Sequence, residues 1–322
     1  SQRPSSVARL VEIAKVQSVE SSNRIEGIVT TKARIRSLVA DKTTPRNRDE
    51  EEIMGYRDVL NTVHENYEYI DLTRHIVLQL HRDLYAYSHK GIGGQFKNVQ
   101  NSIIERLADG SEVERFKPLA PYETPAAIDD ICHSINAVLQ DKSVDPLLVI
   151  PVFIHDFLCI HPFNDGNGRM SRLLTTLLLY QNGYMIGKFI SLEQKIERTK
   201  DSYYATLAQS GAGWHTGDED VVPFVKYMLR VILAAYRDFE SRIELLTMSL
   251  SAKDRIKIII SATIGKVTKS GILEKQPDIA VSTVEKALKE LVEEGFIERH
   301  GVGRSTFYVK VSQKISFHAK YI

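Results

Sequence analysis

The sequence predicts a mostly helical protein with one internal β-hairpin and a small, separate C-terminal domain. Apolar residues recur every three or four positions over most of the first 250 residues, which is the spacing of amphipathic helices. Residues 101–119 place Asp109-Gly110 between two short β-like runs, which is a hairpin signal. The charge changes near residue 250, because residues 252–322 carry 13 basic and 8 acidic residues whereas the preceding part is net acidic.

The helical periodicity places each predicted element in order. An amphipathic helix over residues 5–20 opens the chain. The further helices are predicted at residues 48–66, 73–88, 124–140, 146–159, 168–181, 193–209 and 220–248. Pro125 and Pro146 fall near two of the predicted helix starts, where a missing N–H group costs nothing.

The basic tail predicts helices over residues 252–261, near 265–270 and over 281–294, followed by a hairpin around Gly301-Val302-Gly303. This order resembles a winged helix-turn-helix. Residues 281–294 stand in the recognition-helix position but carry four glutamates against two lysines, so DNA binding is weakly supported and docking of a domain or partner is favoured. Three domains are predicted, namely an N-terminal helical region at 1–69, a core at 70–250 and this domain at 251–322.

The composition excludes some classes of protein and of partner. The 322 residues are 43% hydrophobic, which is enough for at least one large core. With 42 basic and 41 acidic residues, no chain-wide field favours nucleic acid or an anionic membrane. No apolar run approaches the ~20 residues that span a bilayer. Cys132 and Cys159 lie in apolar helical patterns, which predicts free thiols, a reducing compartment and a cytoplasmic location.

The segment HPFNDGNGRMSR, residues 161–172, concentrates chemistry-bearing side chains. Gly166, Asn167 and Gly168 directly precede a strong helical pattern, and the free N–H groups of a helix start form an anion site. Arg169 and Arg172 are three residues apart, so both are expected on one face of the first turns, where they would meet a bound phosphate chain.

Two further residues of this segment supply a metal ligand and a base. The carboxylate of Asp165 stands just before the amides, where it can hold a Mg²⁺ ion bound to the same phosphates. His161 follows the helix predicted at 146–159, and its imidazole can accept a proton near neutral pH. An anion site, a metal ligand and a base together indicate phosphoryl or nucleotidyl transfer.

The same twelve residues match the signature HPFx(D/E)GNGRxxR, and the chain resembles Fic-domain proteins over about residues 70–210. That family typically transfers AMP from ATP to a hydroxyl group of a target protein and releases pyrophosphate. The resemblance implies that His161 is the general base and that Asp165 holds Mg²⁺. It also implies that the backbone at 166–168, with Asn167, binds the α- and β-phosphates, and that Arg169 and Arg172 bind the β/γ end.

The resemblance extends to two further segments. The hairpin at 101–119 is similar to the flap by which the family clamps its target through strand addition, and the clamping edge is expected at Asn101, Ser102, Ile103 and Ile104. Tyr203 and Tyr204 resemble a family segment that lines the adenine pocket, although core packing of these two side chains is an equal alternative.

Near the N-terminus, SNRIEG (residues 22–27) matches the inhibitory motif (S/T)xxxE(G/N) found in many Fic proteins. The inhibitory residues would be Ser22, Glu26 and Gly27, with Glu26 paired to Arg172 in the place of the γ-phosphate. In the alternative interpretation, Ser22 simply caps a helix that Gly27 ends.

The favoured function is an autoinhibited protein adenylyltransferase that uses ATP and Mg²⁺ to modify a Tyr, Thr or Ser hydroxyl of a target protein or of itself. One alternative is a nucleotide-sensing, DNA-binding transcriptional regulator. Another is a Fic enzyme that removes AMP or uses another nucleotide. The presence of His161 favours an enzyme, because a sensor needs no base at that position. The sequence leaves open whether the chain forms a homodimer.

Overall fold

The structure is a computed structural model that describes residues 3–106, 112–247, 250–263 and 265–311. The chain divides into two compact units, of which the larger comprises residues 14–237. The smaller unit combines the residues up to 13 with those from 238 onward. The predicted domain limits at 69/70 and 250/251 stay predictions.

The predicted mostly helical fold is confirmed. The elements up to residue 247 are α1 (Arg3–Ile25), α2 (Lys32–Val39), α3 (Arg48–Asn66), α4 (Arg74–Leu84), β1 (Ile103–Arg106), β2 (Glu112–Phe116), α5 (Thr124–Asp141), α6 (Pro146–Ile160), α7 (Asn167–Gln181), α8 (Leu192–Arg198), α9 (Lys200–Gly211) and α10 (Val222–Thr247). The single helix predicted at 193–209 is wrong, because the backbone leaves the helical region at Thr199 and separates α8 from α9. Helix α2 was not predicted.

Local sequence accounts for the helix starts that position the site. The side chains of Asn47 and Thr73 accept hydrogen bonds from backbone N–H groups in the first turns of α3 and α4. Asp145 does the same for α6, with Pro146 at the first helical position. Helix α7 is buried almost all round, including Leu173 and Leu177, which are fully buried. The start of α7 therefore lies inside the larger unit, beside the end of α6.

The predicted hairpin forms from β1 and β2, which pair antiparallel with an irregularity between Ile103 and Ile104. The predicted turn at Asp109-Gly110 lies outside the described residues, as does the side chain of Ile104. The hairpin follows a segment without regular secondary structure that starts after α4.

The smaller unit contains a compact set of elements near the C-terminus. These are α11 (Ala252–Ala262), β3 (Lys266–Val267), α12 (Lys269–Lys275), α13 (Val281–Glu293), β4 (Ile297–His300) and β5 (Phe307–Lys310). The strands form an antiparallel sheet in the order β3-β5-β4. The helix predicted near 265–270 is wrong at its start, because residues 266–267 form a strand and α12 begins only at Lys269. The winged-helix assignment stays a prediction.

Lysines of this C-terminal segment lie beside carboxylates. Lys269 Nζ lies 2.6 Å from Glu285 Oε1, and Lys253 Nζ lies 3.2 Å from Glu290 Oε2. These ion pairs reduce the positive charge that helix α13 and its surroundings could offer to a phosphate backbone. Within the part of the chain described, no helix is both long and apolar enough to span a bilayer.

Candidate active site

His161 is fixed at the end of α6 in a left-handed backbone conformation, with φ 51° and ψ 62°. Its N–H donates to the carbonyl of Phe157 at 3.0 Å, and its ring Nδ1 lies 3.3 Å from the carbonyl of Leu158. A carbonyl can only accept, so Nδ1 carries the proton and Nε2 keeps a free lone pair. Burial lowers the pKa of His161 to about 4, so the ring is neutral at pH 7 and can act as a base.

The side chains of His81 and Asn167 hold the loop between α6 and α7. Phe163 stacks on His81 with ring centroids 3.6 Å apart and a 2° interplanar angle. His81 Nδ1 accepts from the N–H of Gly94 at 3.1 Å, so Nε2 is the nitrogen that donates to the carbonyl of Asp165, at 3.0 Å. Asn167 Oδ1 accepts from the N–H of Phe163 and its Nδ2 donates to the carbonyl of Phe163, at 2.9 and 2.7 Å. The side chain of Asn167 therefore fixes the loop, while the role of this residue in phosphate binding stays a prediction.

The glycines at the start of α7 leave space for a negatively charged group. Gly166 has a φ of 86°, which favours glycine. A Cβ atom at residue 168 would overlap the carboxylate of Glu26. A carboxylate therefore lies against the N-terminal turn of a 15-residue helix, at the place where the sequence predicts phosphates. The space and its polarity fit an anionic ligand.

Arg172 and the end of helix α1 form a buried contact. The guanidinium donates from Nη2 to Glu26 Oε1 at 2.7 Å and to the carbonyl of Ser22 at 3.0 Å, and from Nε to Ser22 Oγ at 2.8 Å. Although burial acts in the opposite direction, Glu26 raises the pKa of Arg172. Ser22 lies inside α1 and does not cap it, whereas Gly27, at φ 79°, follows the helix end.

Two contacts that the sequence analysis missed hold the end of α1 in place. Lys200 Nζ donates to the carbonyl of Ile25 at 2.7 Å, where a cation is favourable because it faces the negative end of the helix dipole. Arg24 Nη1 lies 3.0 Å from Glu197 Oε1. Both partners belong to α8 and α9, so these helices position Glu26. The sequence offered no signal, because Lys200 and Glu197 look like ordinary surface charges.

A buried hydroxyl also supports the contact between Ser22 and Arg172. Tyr56 is fully buried and donates from its hydroxyl to Glu193 Oε1 at 3.0 Å. Ser191 donates to the other oxygen of Glu193, also at 3.0 Å. Burial raises the pKa of Tyr56 well above its usual value, while a hydrogen bond from Ser22 acts the other way. These groups link Arg172 through Ser22 to the buried carboxylate of Glu193.

Replacing Tyr56 with phenylalanine is expected to lower the free energy of unfolding by about 1–3 kcal/mol, because the buried Glu193 carboxylate loses a donor. The free energies of unfolding of Tyr56→Phe and Tyr122→Phe are compared by urea denaturation. Tyr122 is 82% exposed, so its replacement should leave the free energy of unfolding unchanged. Equal unfolding free energies for the two variants would contradict the assignment.

Asp165 and Arg169 each form ion pairs and hydrogen bonds with neighbouring protein groups. Arg169 is 1% exposed, its Nη1 lies 2.8 Å from Glu52 Oε2, and its Nη2 donates to the hydroxyl of Tyr85 at 2.7 Å. Asp165 Oδ2 lies 2.6 Å from Lys90 Nζ, and its Oδ1 accepts from the N–H of Gly166 at 2.7 Å. The guanidinium of Arg169 thus faces protein groups, and its predicted contact with phosphate stays a prediction.

The predicted magnesium site can be tested against the groups present. Among the described residues, no cluster of three or more His, Cys, Asp or Glu side chains could hold a metal ion. Mg²⁺ at nucleotide sites is held by one or two carboxylates together with substrate phosphates. Asp165 offers one oxygen that already faces a cation, the ammonium of Lys90, so its chemistry fits such an ion.

The two tyrosines predicted for an adenine pocket lie in different environments. Tyr203 is buried, and its ring centroid lies 6.0 Å from that of Phe224 and 5.7 Å from that of Tyr227. Tyr204 is 42% exposed, with Lys200 Nζ 5.7 Å from its ring centroid. Tyr203 is therefore a core residue by its contacts, and the role of both tyrosines in binding adenine stays a prediction.

The start of the predicted flap is tied to the loop of His161. Asn101 Nδ2 donates to the carbonyl of Phe163 at 3.1 Å, and its Oδ1 accepts from Lys97 at 3.2 Å. The ammonium of Lys97 also donates to the carbonyl of Ile160 at 2.8 Å, and burial lowers its pKa to about 8. Ser102 donates to Glu114 across the hairpin, at 3.1 Å. The target-clamping role of residues 101–104 stays a prediction.

Comparisons with known proteins match a large part of this chain to one family. Residues 71–179 match the model of the Fic/DOC family. The chain is 24% identical over 234 residues to a protein adenylyltransferase Fic of Nematostella vectensis, covering 69% of this chain and 48% of that protein. It is 26% identical over 273 residues to the protein of the same name in Drosophila melanogaster, covering 81% of this chain and 50% of that protein. The chain thus spans about half the length of these curated relatives. Residues 71–179 of this chain are thus similar to the Fic/DOC family.

Solved structures support the same fold. A Fic family protein from Desulfovibrio desulfuricans superposes with a TM-score of 0.60 at 20% identity, over 95% of this chain and 88% of that one. A Fic-domain-containing signaling protein from Bacteroides thetaiotaomicron gives a TM-score of 0.59 at 25% identity, over 72% of this chain and 89% of that one. The first of these likenesses concerns the fold alone.

Proposed function

We propose that this protein is an autoinhibited adenylyltransferase that transfers AMP from ATP to a Tyr, Thr or Ser hydroxyl of a target protein or of itself. The observation that carries the proposal is the meeting of His161, the glycine start of α7 and Arg172, with the Glu26 carboxylate against Gly168. Curated relatives with the name protein adenylyltransferase support the reaction class. The two free, buried cysteines fit a reducing compartment, and we place the protein in the cytoplasm.

In the proposed reaction, Nε2 of His161 accepts the proton of the target hydroxyl. The hydroxyl oxygen then forms a bond to the α-phosphorus of ATP while the bond from that phosphorus to the pyrophosphate oxygen breaks. The amides at the start of α7 and the guanidinium of Arg172 stabilise the charge on the phosphate oxygens. Mg²⁺, when bound at Asp165, would supply further neutralisation of that charge.

The inhibition proposed here is electrostatic and steric. The carboxylate of Glu26 lies against the N-terminal turn of α7 and accepts a hydrogen bond from Nη2 of Arg172. A γ-phosphate that needs the same guanidinium must displace it. Ser22 also accepts hydrogen bonds from Arg172, through its hydroxyl and its carbonyl, so the arginine is already oriented when Glu26 leaves. The 101–104 edge would align the target backbone by strand addition.

The test is the transfer of label from ATP. The Glu26→Gly variant is incubated with Mg²⁺ and with ATP labelled at either the α- or the γ-phosphate, alone and with a lysate. Protein-bound label is expected only from α-labelled ATP. Incorporation from the γ-phosphate would instead show a kinase and overturn the proposal.

The pH dependence of the reaction follows from the neutral state of His161. Because burial lowers the pKa of this ring to about 4, the base form is fully present at pH 6 and is lost only as the pH falls towards 4. The initial rate of AMP incorporation by Glu26→Gly is therefore expected to change less than about twofold between pH 6 and pH 8. A rise of the rate centred near pH 6.5, the usual pKa of histidine, would contradict this assignment.

A further inference from the structure

Both oxygens of the Asp165 carboxylate, which the proposed function assigns to Mg²⁺, lie near cationic side chains. Its Oδ1 accepts from the N–H of Gly166 at 2.7 Å and lies 3.6 Å from Arg169 Nη2. Its Oδ2 lies 2.6 Å from Lys90 Nζ. Because Oδ1 is engaged by the backbone, Oδ2 is the oxygen that a metal ion would take, and the ammonium of Lys90 lies on that oxygen.

Lys90 is held there by a second carboxylate. Its Nζ lies 3.0 Å from Oε1 of Glu52, which is buried on α3. The other oxygen of Glu52 faces Arg169 at 2.8 Å, and Arg48 lies 3.0 Å from Oε1 at the surface. Asp165 and Glu52 are thus balanced by Lys90 and Arg169, with Arg48 at the periphery. A divalent ion bound at Oδ2 of Asp165 would lie beside the ammonium of Lys90 unless that ammonium moved away.

Lys90 is the cation that is able to move. Arg169 is 1% exposed, whereas the side chain of Lys90 is 23% exposed. Lys90 also lies in a segment after α4 without regular secondary structure, and its four-carbon stem lets the ammonium reach solvent while the backbone stays in place. The side chain of Asp165 is 42% exposed, so solvent can reach the contact between the two groups.

We propose that Lys90 is an exchangeable counter-ion of Asp165 that competes with Mg²⁺ for Oδ2 and thereby sets the metal affinity of the site. This inference rests on the metal role given to Asp165 in the proposed function. The ammonium of Lys90 orients and neutralises the carboxylate of Asp165 when no metal is bound. When Mg²⁺ binds, the ammonium leaves Asp165 and either stays with Glu52 or moves into solvent. The contact with Lys90 is thus a second restraint on the site, separate from that of Glu26.

Direct metal binding tests the proposal. Mn²⁺ replaces Mg²⁺ as the probe, and its binding to the full chain with one equivalent of ADP is followed by the loss of the sharp paramagnetic resonance signal of aqueous Mn²⁺ beyond the loss that the same ADP causes without protein. Lys90→Met keeps the length of the side chain and removes its charge, so Mn²⁺ affinity is expected to rise about tenfold. Lys90→Arg keeps the charge and should not bind Mn²⁺ more tightly than wild type.

Two controls separate the possible failures. Lys188→Met removes a lysine that lies over the rings of Tyr67 and Tyr180, at the other end of α7, and should leave the affinity unchanged. Asp165→Asn should abolish binding. If Asp165→Asn binds Mn²⁺ as wild type does, the metal assignment fails and the inference fails with it. If Asp165→Asn loses binding but Lys90→Met does not bind more tightly, only the role of Lys90 is overturned. AMP labelling tests the proposed reaction independently of both results.

Discussion

Glu26→Gly/His161→Ala protein is expected to incorporate AMP about 10²–10⁴-fold more slowly than Glu26→Gly alone, which is the usual loss on removal of a general base. The reason is geometric. The left-handed backbone of His161 and the contact of Nδ1 with the carbonyl of Leu158 direct the free Nε2 lone pair away from helix α6. The other candidate base in the twelve-residue segment is the carboxylate of Asp165, which is held by Lys90 and by the N–H of Gly166.

The measurement is the initial rate of transfer from α-labelled ATP. His133→Ala, which removes an exposed histidine of α5, is the matched control and should keep the full rate. Binding of ADP, followed by calorimetry, should be nearly unchanged in the His161→Ala protein, since the imidazole is given no part in holding the phosphates. If the variant without the imidazole keeps the rate of Glu26→Gly, His161 is not the general base.

The Glu26→Gly change itself is expected to raise the rate of AMP incorporation at least about tenfold over wild type. A net competition of only about 1.4 kcal/mol between Glu26 and the γ-phosphate is worth that factor. Arg172 is 3% exposed, and its contact with Glu26, at 2.7 Å, is therefore only weakly screened by solvent. The carboxylate side chain of Glu26 is 31% exposed, so it has a path by which to leave.

A matched pair of variants distinguishes loss of the contact between Glu26 and Arg172 from a general effect on helix α1. Glu26→Gln keeps the size of the side chain and removes its charge, so it should activate as well. Glu20→Gln removes a carboxylate of the same helix that faces Arg24 and not Arg172, so it should stay inactive. The free energy of unfolding without ATP should fall in Glu26→Gln, since Arg172 loses an ionic partner. Equal rates for Glu26→Gln, Glu20→Gln and wild type would show that Glu26 is no inhibitor.

The helices that carry the site were predictable because their signals are local. The end of α6, the six-residue link and the start of α7 follow one another in the chain, and prolines, glycines and apolar spacing mark their limits. The hairpin of β1 and β2 was predictable from the Asp109-Gly110 turn signal between two short β-like runs. The break at Thr199 was not, because Ile196 and Tyr203 are seven positions apart and keep helical spacing across it.

The residues that surround the site come from segments far away in the sequence. Glu52 is the last of four consecutive acidic residues in the first turns of α3, which in the sequence look like a solvated helix start. In the fold it is buried beside Arg169, which is 117 positions later in the chain. His81 looked like one more residue of an amphipathic helix, but it stacks on Phe163 and holds the carbonyl of Asp165.

Sequence alone determined which groups meet at the start of α7, because a helix that follows a glycine link must present its free amides and the residues of its first turn together. Tertiary structure decided which of those groups face a ligand. Arg169 and Arg172 share one helix face, but α7 is enclosed by neighbouring helices, so each guanidinium takes the carboxylate that its neighbour supplies, Glu52 for Arg169 and Glu26 for Arg172. The physical reason is that a buried cation must find a counter-charge, and only the folded chain brings one from far away in the sequence.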